Sequence, residues 1–334
     1  MNREDYIAAF AALGSAMNTT TSQEEWIKAR TKSMIANPWF DERDIDFAVA
    51  RWSENLTQEN LKQWIRNYPD PVENPKTVGV VMAGNVPMVG FHDFLCVLMS
   101  GHAIQIKLSS DDAFLLPYWA GVLTAIEPRF AEKIQFVDRL QKFDAVIATG
   151  SDNTALYFEY YFGKYPHIIR KSRCSIAILN GKEKNMKGLA EDIFTYKGLG
   201  CCSVGRLFVP EDYSFEALKC AASEFDYLQY HTKYKNNLDY YRAVYTMNKI
   251  PFLDFGNLLL TENKEFDSPI SVVYYSKGTE IDHVGAYNGR RDKVQRLVSE
   301  SSELTGAVPL GMAQRPALWE YMDGVDTMKF LCAL

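Results

Sequence analysis

Apolar positions recur at helical spacing through DYIAAFAALGSAM (5–17), and the stretch up to about residue 70 reads as a set of helices. Thr21 or Ser22, followed by Glu24 and Glu25, has the form of a helix cap with acids in the first turn. The polar, proline-bearing NYPDPVENPK (67–76) then interrupts the pattern and reads as a linker. From residue 77 the period changes. TVGVVMAG (77–84), AIQIKLS (103–109), IQFVD (134–138) and FDAVIATGS (143–151) are short apolar runs of buried-strand type, and helix-compatible segments at 89–101 and 113–126 separate the first three. Strand, helix, strand, helix, strand at this spacing predicts a doubly wound parallel sheet, whose ligands collect beyond the carboxyl ends of the strands. GNVP (84–87), KLSS (107–110) and TGSDNT (149–154) fall at those ends.

The second half continues in the same grammar. CSIAILNG (174–181) is a strand, 185–196 a helix, and GLGCCSVGRLFVP (198–210) a glycine-rich turn leading into another strand. A helix is expected around 214–225, a strand at 269–276 (PISVVYYS), and a last helix at RDKVQRLVS (291–299) before a Pro- and Gly-containing tail. The domain reading is an N-terminal helical region at 1–75, a dinucleotide-binding α/β domain at 76–196, a catalytic α/β domain at 197–305 and a closing arm at 306–334.

Composition narrows the function classes. With 47% hydrophobic and 23% charged residues in 334, the chain is globular in type and long enough for two domains. A net charge of -6 leaves no basic surplus for a nucleic-acid backbone, so small metabolites or protein partners are expected. No apolar run approaches the roughly 18 residues of a membrane span, and the charged start MNRED lacks a secretory leader. From these two readings a cytoplasmic protein is expected, with its six cysteines, which show no CxxC pair, as reduced thiols.

Two segments carry candidate chemistry. In GLGCCSVGR, a glycine-rich turn can leave a thiol accessible among backbone N–H groups; the same Cys201-Cys202 pair is also compatible with plain packing on a tight turn. In GNVP, Asn85 on a strand-to-helix turn can point its amide at a developing oxyanion, or merely satisfy local backbone. Lys107, at a strand end, can meet cofactor ribose or phosphate. Gly150 and Ser151 can set a helix N-terminus beside a phosphate or nicotinamide, although GxGxxG is absent. The five histidines share no metal-ligand spacing, and no metal is expected. Neither a phosphate-loop GK[ST] nor a GxSxG elbow occurs.

In order along the chain, these pieces resemble the aldehyde dehydrogenase superfamily, and specifically its LuxC-type acyl-CoA reductase branch. VGVVMAGNVP…IQIKLSS looks like the stretch from the oxyanion asparagine to the lysine on the cofactor ribose. VIATGSDNT is similar to the Gly-Ser turn next to the nicotinamide, GLGCCSVGR to the thiol pattern GQxCxAxxR, and PLGMAQRPALWEYMDGVDTMKFL to the closing segment. The resemblance covers about 76–331. It implies an aldehyde dehydrogenase-like fold, two doubly wound α/β domains with the active site in the crevice between them after an N-terminal helical region. It also implies Cys201 as nucleophile, Asn85 as oxyanion donor, and Lys107, Ser110, Gly150, Ser151 and Glu265 as cofactor contacts.

Three departures from the family pattern shape the expected activity. The glutamate that serves ordinary aldehyde dehydrogenases as hydrolytic base has no counterpart in IIRKSRCSIAIL (168–179), which fits a reductase of acyl-CoA better than an aldehyde oxidiser. Ser110 replaces the acid of NAD-preferring members, which favours NADPH, with NADH as the other donor. Leu199 replaces the glutamine of the thiol motif, and nothing in the sequence explains it. The expected function is therefore NADPH-dependent reduction of long-chain acyl-CoA to aldehyde. By family likeness, an acyl-protein synthetase partner and a homo-oligomer are also expected. The rivals are an NAD-dependent CoA-acylating aldehyde dehydrogenase on short acyl groups and a catalytically silent scaffold of the same fold.

Overall fold

The computed structural model describes residues 1–19 and 23–334; the cap expected at Thr21 or Ser22 lies outside them. The N-terminal region forms α1 (Arg3–Thr19), α2 (Glu24–Ala36), α3 (Glu42–Asn55) and α4 (Gln58–Ile65). Helix α1 buries Tyr6, Phe10, Leu13 and Met17, spaced so that they share one face. Caps start the later helices: Asp41 accepts from the Asp44 N–H ahead of α3, and Thr57 from the Asn60 N–H ahead of α4. Trp26 of α2 is fully buried, its ring 5.0 Å from that of Trp119.

After the linker come β1 (Thr77–Val81), α5 (Phe91–Met99), β2 (Ala103–Lys107), α6 (Leu115–Ile126), β3 (Ile134–Phe136), β4 (Ala145–Thr149), α7 (Asp152–Phe162) and β5 (His167–Arg170). The strands make one parallel sheet in the order β3-β2-β1-β4-β5. The chain winds outward from β1 through β2 to β3, then returns to lay β4 on the other side of β1. That reversal opens a crevice at the carboxyl ends of β1 and β4.

The second unit contains β6 (Cys174–Ile178), α8 (Met186–Phe194), β7 (Val204–Val209), α9 (Glu216–Ala222), α10 (Thr232–Met247), β8 (Leu253–Asp254), β9 (Leu259–Glu262), β10 (Val272–Lys277), α11 (Glu280–Asn288) and β11 (Val294–Val298). Its sheet runs β11-β6-β7-β10-β9-β8, parallel except for the β8-β9 hairpin. The expected last helix at 291–299 is absent: 291–293 form a 3-10 turn and Val294–Val298 pair with β6. Burial of Val294 and Leu297 against β6 and Phe208 outweighs the helix-like charge pattern of RDKVQR.

The chain divides into Met1–Ser172 with Ala317–Leu334, and Arg173–Pro316. The boundary thus falls at 172/173 and not at the expected 196/197, because β6 pairs with β7 and β11 in the second sheet. The helical region shares a core with the first sheet. The returning segment ends in α12 (Thr327–Cys332), where Thr327 accepts from Arg170, and Arg170 is ion-paired with buried Asp93 at 2.5 Å. No helix among the described residues is long and apolar enough to cross a membrane.

Candidate active site

In the first unit the predicted residues gather at the carboxyl ends of β1, β2 and β4. Asn85 is exposed in a turn after β1. Pro87 lies in this turn, four residues ahead of Phe91, where α5 begins. The turn is held on both flanks of Asn85. The Asn37 side chain donates to the Gly84 carbonyl at 3.2 Å, and the Met88 N–H donates to the buried Asp112 carboxylate at 2.7 Å.

Lys107 is the last residue of β2, exposed, and Met82 N–H donates to its carbonyl at 3.0 Å. The chain then makes a 3-10 turn, Ser110–Asp112, capped by Ser109, with Ser110 exposed. A Cβ on Gly84 would sit 2.8 Å from Ser109 and 3.0 Å from the Asp112 nitrogen, so the two turns lie in contact and the position admits only glycine without movement. Burial pushes the Asp112 carboxyl up to about 7, opposed by the N–H groups of Met88 and Leu115.

Beyond the ends of β2 and β3 lies a cleft of about 690 Å³, lined by Lys107, Ser109, Phe136, Arg139 and Gln141 among others. Lys107 and Arg139 make no ion pair among the described residues, and Asp138 is the acid of the lining. At the end of β4, Gly150 N–H donates to Arg170 O at 3.2 Å, and the Ser151 side chain caps α7 by accepting from Thr154 N–H at 3.3 Å. The Ser151 hydroxyl is therefore engaged as a helix cap.

The thiol segment lies in the second unit, between α8 and β7. Tyr196 (φ 53°), Lys197 (φ 59°) and Gly198 (φ 78°) are left-handed in succession, an uncommon conformation for the two non-glycine residues. Two turns follow, closed by Leu199 N–H to Tyr196 O at 3.0 Å and Ser203 N–H to Gly200 O at 2.9 Å. Cys201 lies inside the second. Its carbonyl accepts from the buried Ser175 hydroxyl at 2.8 Å, and the residue is partly exposed, whereas Cys202 is only 7% exposed. Cys96 and Cys174 are buried, with burial raising both thiols, Cys174 to about 12.

The segment 310–314 braces this turn. Asp192, on α8, accepts from Gly311 N–H at 2.7 Å and Ala313 N–H at 2.9 Å, and Gln314 donates to the Ser203 hydroxyl at 2.9 Å. Burial pushes Asp192 up to about 7, against those two N–H bonds. Glu265 is exposed between β9 and β10. It joins the thiol strand through its backbone: buried Arg206 of β7 donates to the carbonyls of Glu265 and Asn263 and to the Ser276 hydroxyl. The same guanidinium stacks over Phe208 at 4.6 Å, and burial brings it down to about 10.

The acyl-CoA reductase (LuxC) family matches residues 61–281, about two thirds of the chain. The chain belongs to the acyl-CoA reductase family. It is an oxidoreductase of the aldehyde and acyl-CoA couple. Among curated proteins none matches significantly. Solved structures similar in fold include aldehyde dehydrogenase 21 from Physcomitrella patens in complex with succinate, at 11% identity and TM-score 0.71, covering 100% of this chain and 84% of that one. An indole-3-acetaldehyde dehydrogenase from Pseudomonas syringae in complex with NAD+ aligns at 11% identity and TM-score 0.68, over 94% and 74% of the two chains. The NAD+ complex of a Bacillus cereus aldehyde dehydrogenase aligns at 13% identity and TM-score 0.62, over 91% and 73%.

Four residues of this acyl-CoA reductase escaped the sequence reading: Arg139, Asp112, Asp192 and Gln314. Arg139 follows the expected strand 134–138, of which β3 keeps Ile134–Phe136, and the carboxyl-end rule applied to IQFVDR would have found it. The other three act across long separations in sequence and leave no local signal.

Proposed function

We propose that this acyl-CoA reductase converts long-chain fatty acyl-CoA to the aldehyde with NADPH, through an acyl thioester on Cys201. The carrying observation is the turn 196–203, in which Cys201 is a partly exposed residue and Cys202 a buried one. The Cys201 thiolate attacks the thioester carbonyl, and the C–S bond to CoA breaks with the electron pair leaving on the CoA thiolate. Asn85 takes the role of oxyanion donor, worth on the order of 10²- to 10³-fold in rate.

Lys107, Ser110, Gly150, Ser151 and Glu265 are the proposed cofactor contacts. The cleft at the ends of β2 and β3, where Lys107 and Arg139 make no ion pair among the described residues and Asp138 is the acid, fits an anionic dinucleotide, and Ser110 on the adjoining turn stands where NAD-preferring members carry an acid. When bound, the reduced nicotinamide supplies the hydride that brings the acyl group to the aldehyde oxidation level. Collapse of the thiohemiacetal on Cys201 returns the electron pair to sulfur and frees the aldehyde. The acid-free stretch 168–179 offers no hydrolytic base there, so the thioester persists long enough to be reduced.

The aromatic content, 19 Tyr and 19 Phe, suits an apolar acyl chain. Steady-state rates with myristoyl-CoA and acetyl-CoA, each with NADPH and NADH, test the reading. Higher kcat/KM for myristoyl-CoA with NADPH is expected; preference for acetyl-CoA with NADH would install the short-chain CoA-acylating alternative. We further propose a cytoplasmic homo-oligomer that meets an acyl-protein synthetase, as the family likeness implies.

A further inference from the structure

We infer that Asp112 is a positioning residue shared by two loops, its buried carboxylate holding the turn that carries Asn85 against the turn that carries Lys107 and Ser110. The inference rests on the roles proposed above for Asn85 and Lys107.

Asp112 closes the 3-10 turn five residues after Lys107 and is 6% exposed. Its Oδ2 accepts from the N–H of Met88, 24 residues earlier, at 2.7 Å, and its Oδ1 has no hydrogen-bond partner. A buried carboxylate with one bare oxygen is costly to the fold, and an apolar residue would avoid that cost. What the carboxylate provides is geometry. Met88 has φ 56°, a backbone conformation that a side-chain-bearing residue adopts only when its surroundings dictate it, and its N–H is the group Asp112 holds.

The contact is made from the other side as well. Gly84 lies so close to Ser109 and to the Asp112 nitrogen that a Cβ there would overlap both. Asn85 is thus bracketed by two residues, Gly84 and Met88, and both are registered on the 109–112 turn. Moving that turn moves the amide of Asn85 and the cofactor loop together. A displacement near 1 Å of a reacting group costs roughly 10²-fold in rate.

The test compares Asp112→Ala, which removes the acceptor, with Asp112→Asn, which keeps an oxygen for the Met88 N–H. Three quantities are read on the full chain: kcat with myristoyl-CoA, the NADPH dissociation constant by nucleotide fluorescence, and the thermal midpoint. The alanine variant is expected to lose roughly 10²-fold in kcat and about tenfold in NADPH affinity, with asparagine recovering most of both. Should the alanine variant fail to fold, Gly84→Ala presses on the same contact and is expected to move the same two quantities. Asn85→Ala and Lys107→Ala serve as controls. If they are silent while Asp112→Ala is not, the roles of Asn85 and Lys107 fall and the clasp stands. If they act while both contact variants change only the thermal midpoint, or change kcat with NADPH affinity intact, the shared clasp is overturned.

Discussion

The side-chain amide of Gln314 donates to the buried Ser203 hydroxyl at 2.9 Å, across 111 residues of chain. Ser203 closes the turn that carries Cys201, so this bond, with the two that Asp192 makes to Gly311 and Ala313, sets the turn against the segment 310–314. Replacing Gln314 with Ala leaves a buried hydroxyl without that donor, at a cost of about 1–3 kcal/mol in stability. The rate of Cys201 acylation in single turnover should fall, while NADPH affinity stays at its wild-type value. An unchanged acylation rate would show that the brace supports the fold only.

Arg206 is the next test of how the thiol strand is supported. Its guanidinium serves two carbonyls and a hydroxyl from one buried position, a fork that a lysine ammonium cannot reproduce. Arg206→Lys should cost about 2–4 kcal/mol in urea unfolding. A loss within 0.5 kcal/mol, in the ~0.5 kcal/mol range of ordinary surface changes, would contradict this.

Asp112 gives the stability a pH dependence of definite sign. Its folded-state pKa is raised by burial to about 7 from 3.8, so the folded form holds its proton more tightly than the unfolded form. The contribution is fully present below about pH 4 and is lost as pH rises through about 7, amounting to at most on the order of 4 kcal/mol. Asp112→Asn removes the titration. In urea melts at pH 5 and pH 8, the variant should gain stability relative to wild type as pH rises. A constant difference would mean that the carboxylate titrates normally.

Much of this was legible in the sequence, and the omissions have physical causes. β1, β2 and β4 stand out because central parallel strands are buried on both faces and read as continuous apolar runs. β5 (HIIR) is a four-residue edge strand ending in a buried arginine, too short and polar to register. α10 carries its apolar residues among tyrosines, lysines and asparagines, so no clear apolar stripe marks it in the sequence. The glycines mark the turn around Cys201, but the choice of Cys201 over Cys202 rests on family resemblance; of the two, Cys201 is the more exposed. Ion pairs and clasps spanning more than 20 residues, such as Asp93 with Arg170 or Asp112 with Met88, have no local pattern to read.

Arg139 separates the two nicotinamide donors. An additional cation in the cleft beside Lys107 favours the extra phosphate of NADPH, so Arg139→Ala should raise the NADPH KM about tenfold and the NADH KM little. Equal effects on both would assign Arg139 to the shared phosphates instead.

The central claim is that Cys201 becomes acylated by acyl-CoA. Intact-protein mass spectrometry after incubation with myristoyl-CoA, without reductant, measures this directly for the wild type and for Cys201→Ala and Cys202→Ala. The account predicts one myristoyl adduct on the wild type and on Cys202→Ala, and none on Cys201→Ala. An adduct that persists on Cys201→Ala, or that vanishes only from Cys202→Ala, would contradict it, and no adduct on any form would leave a silent scaffold of this fold.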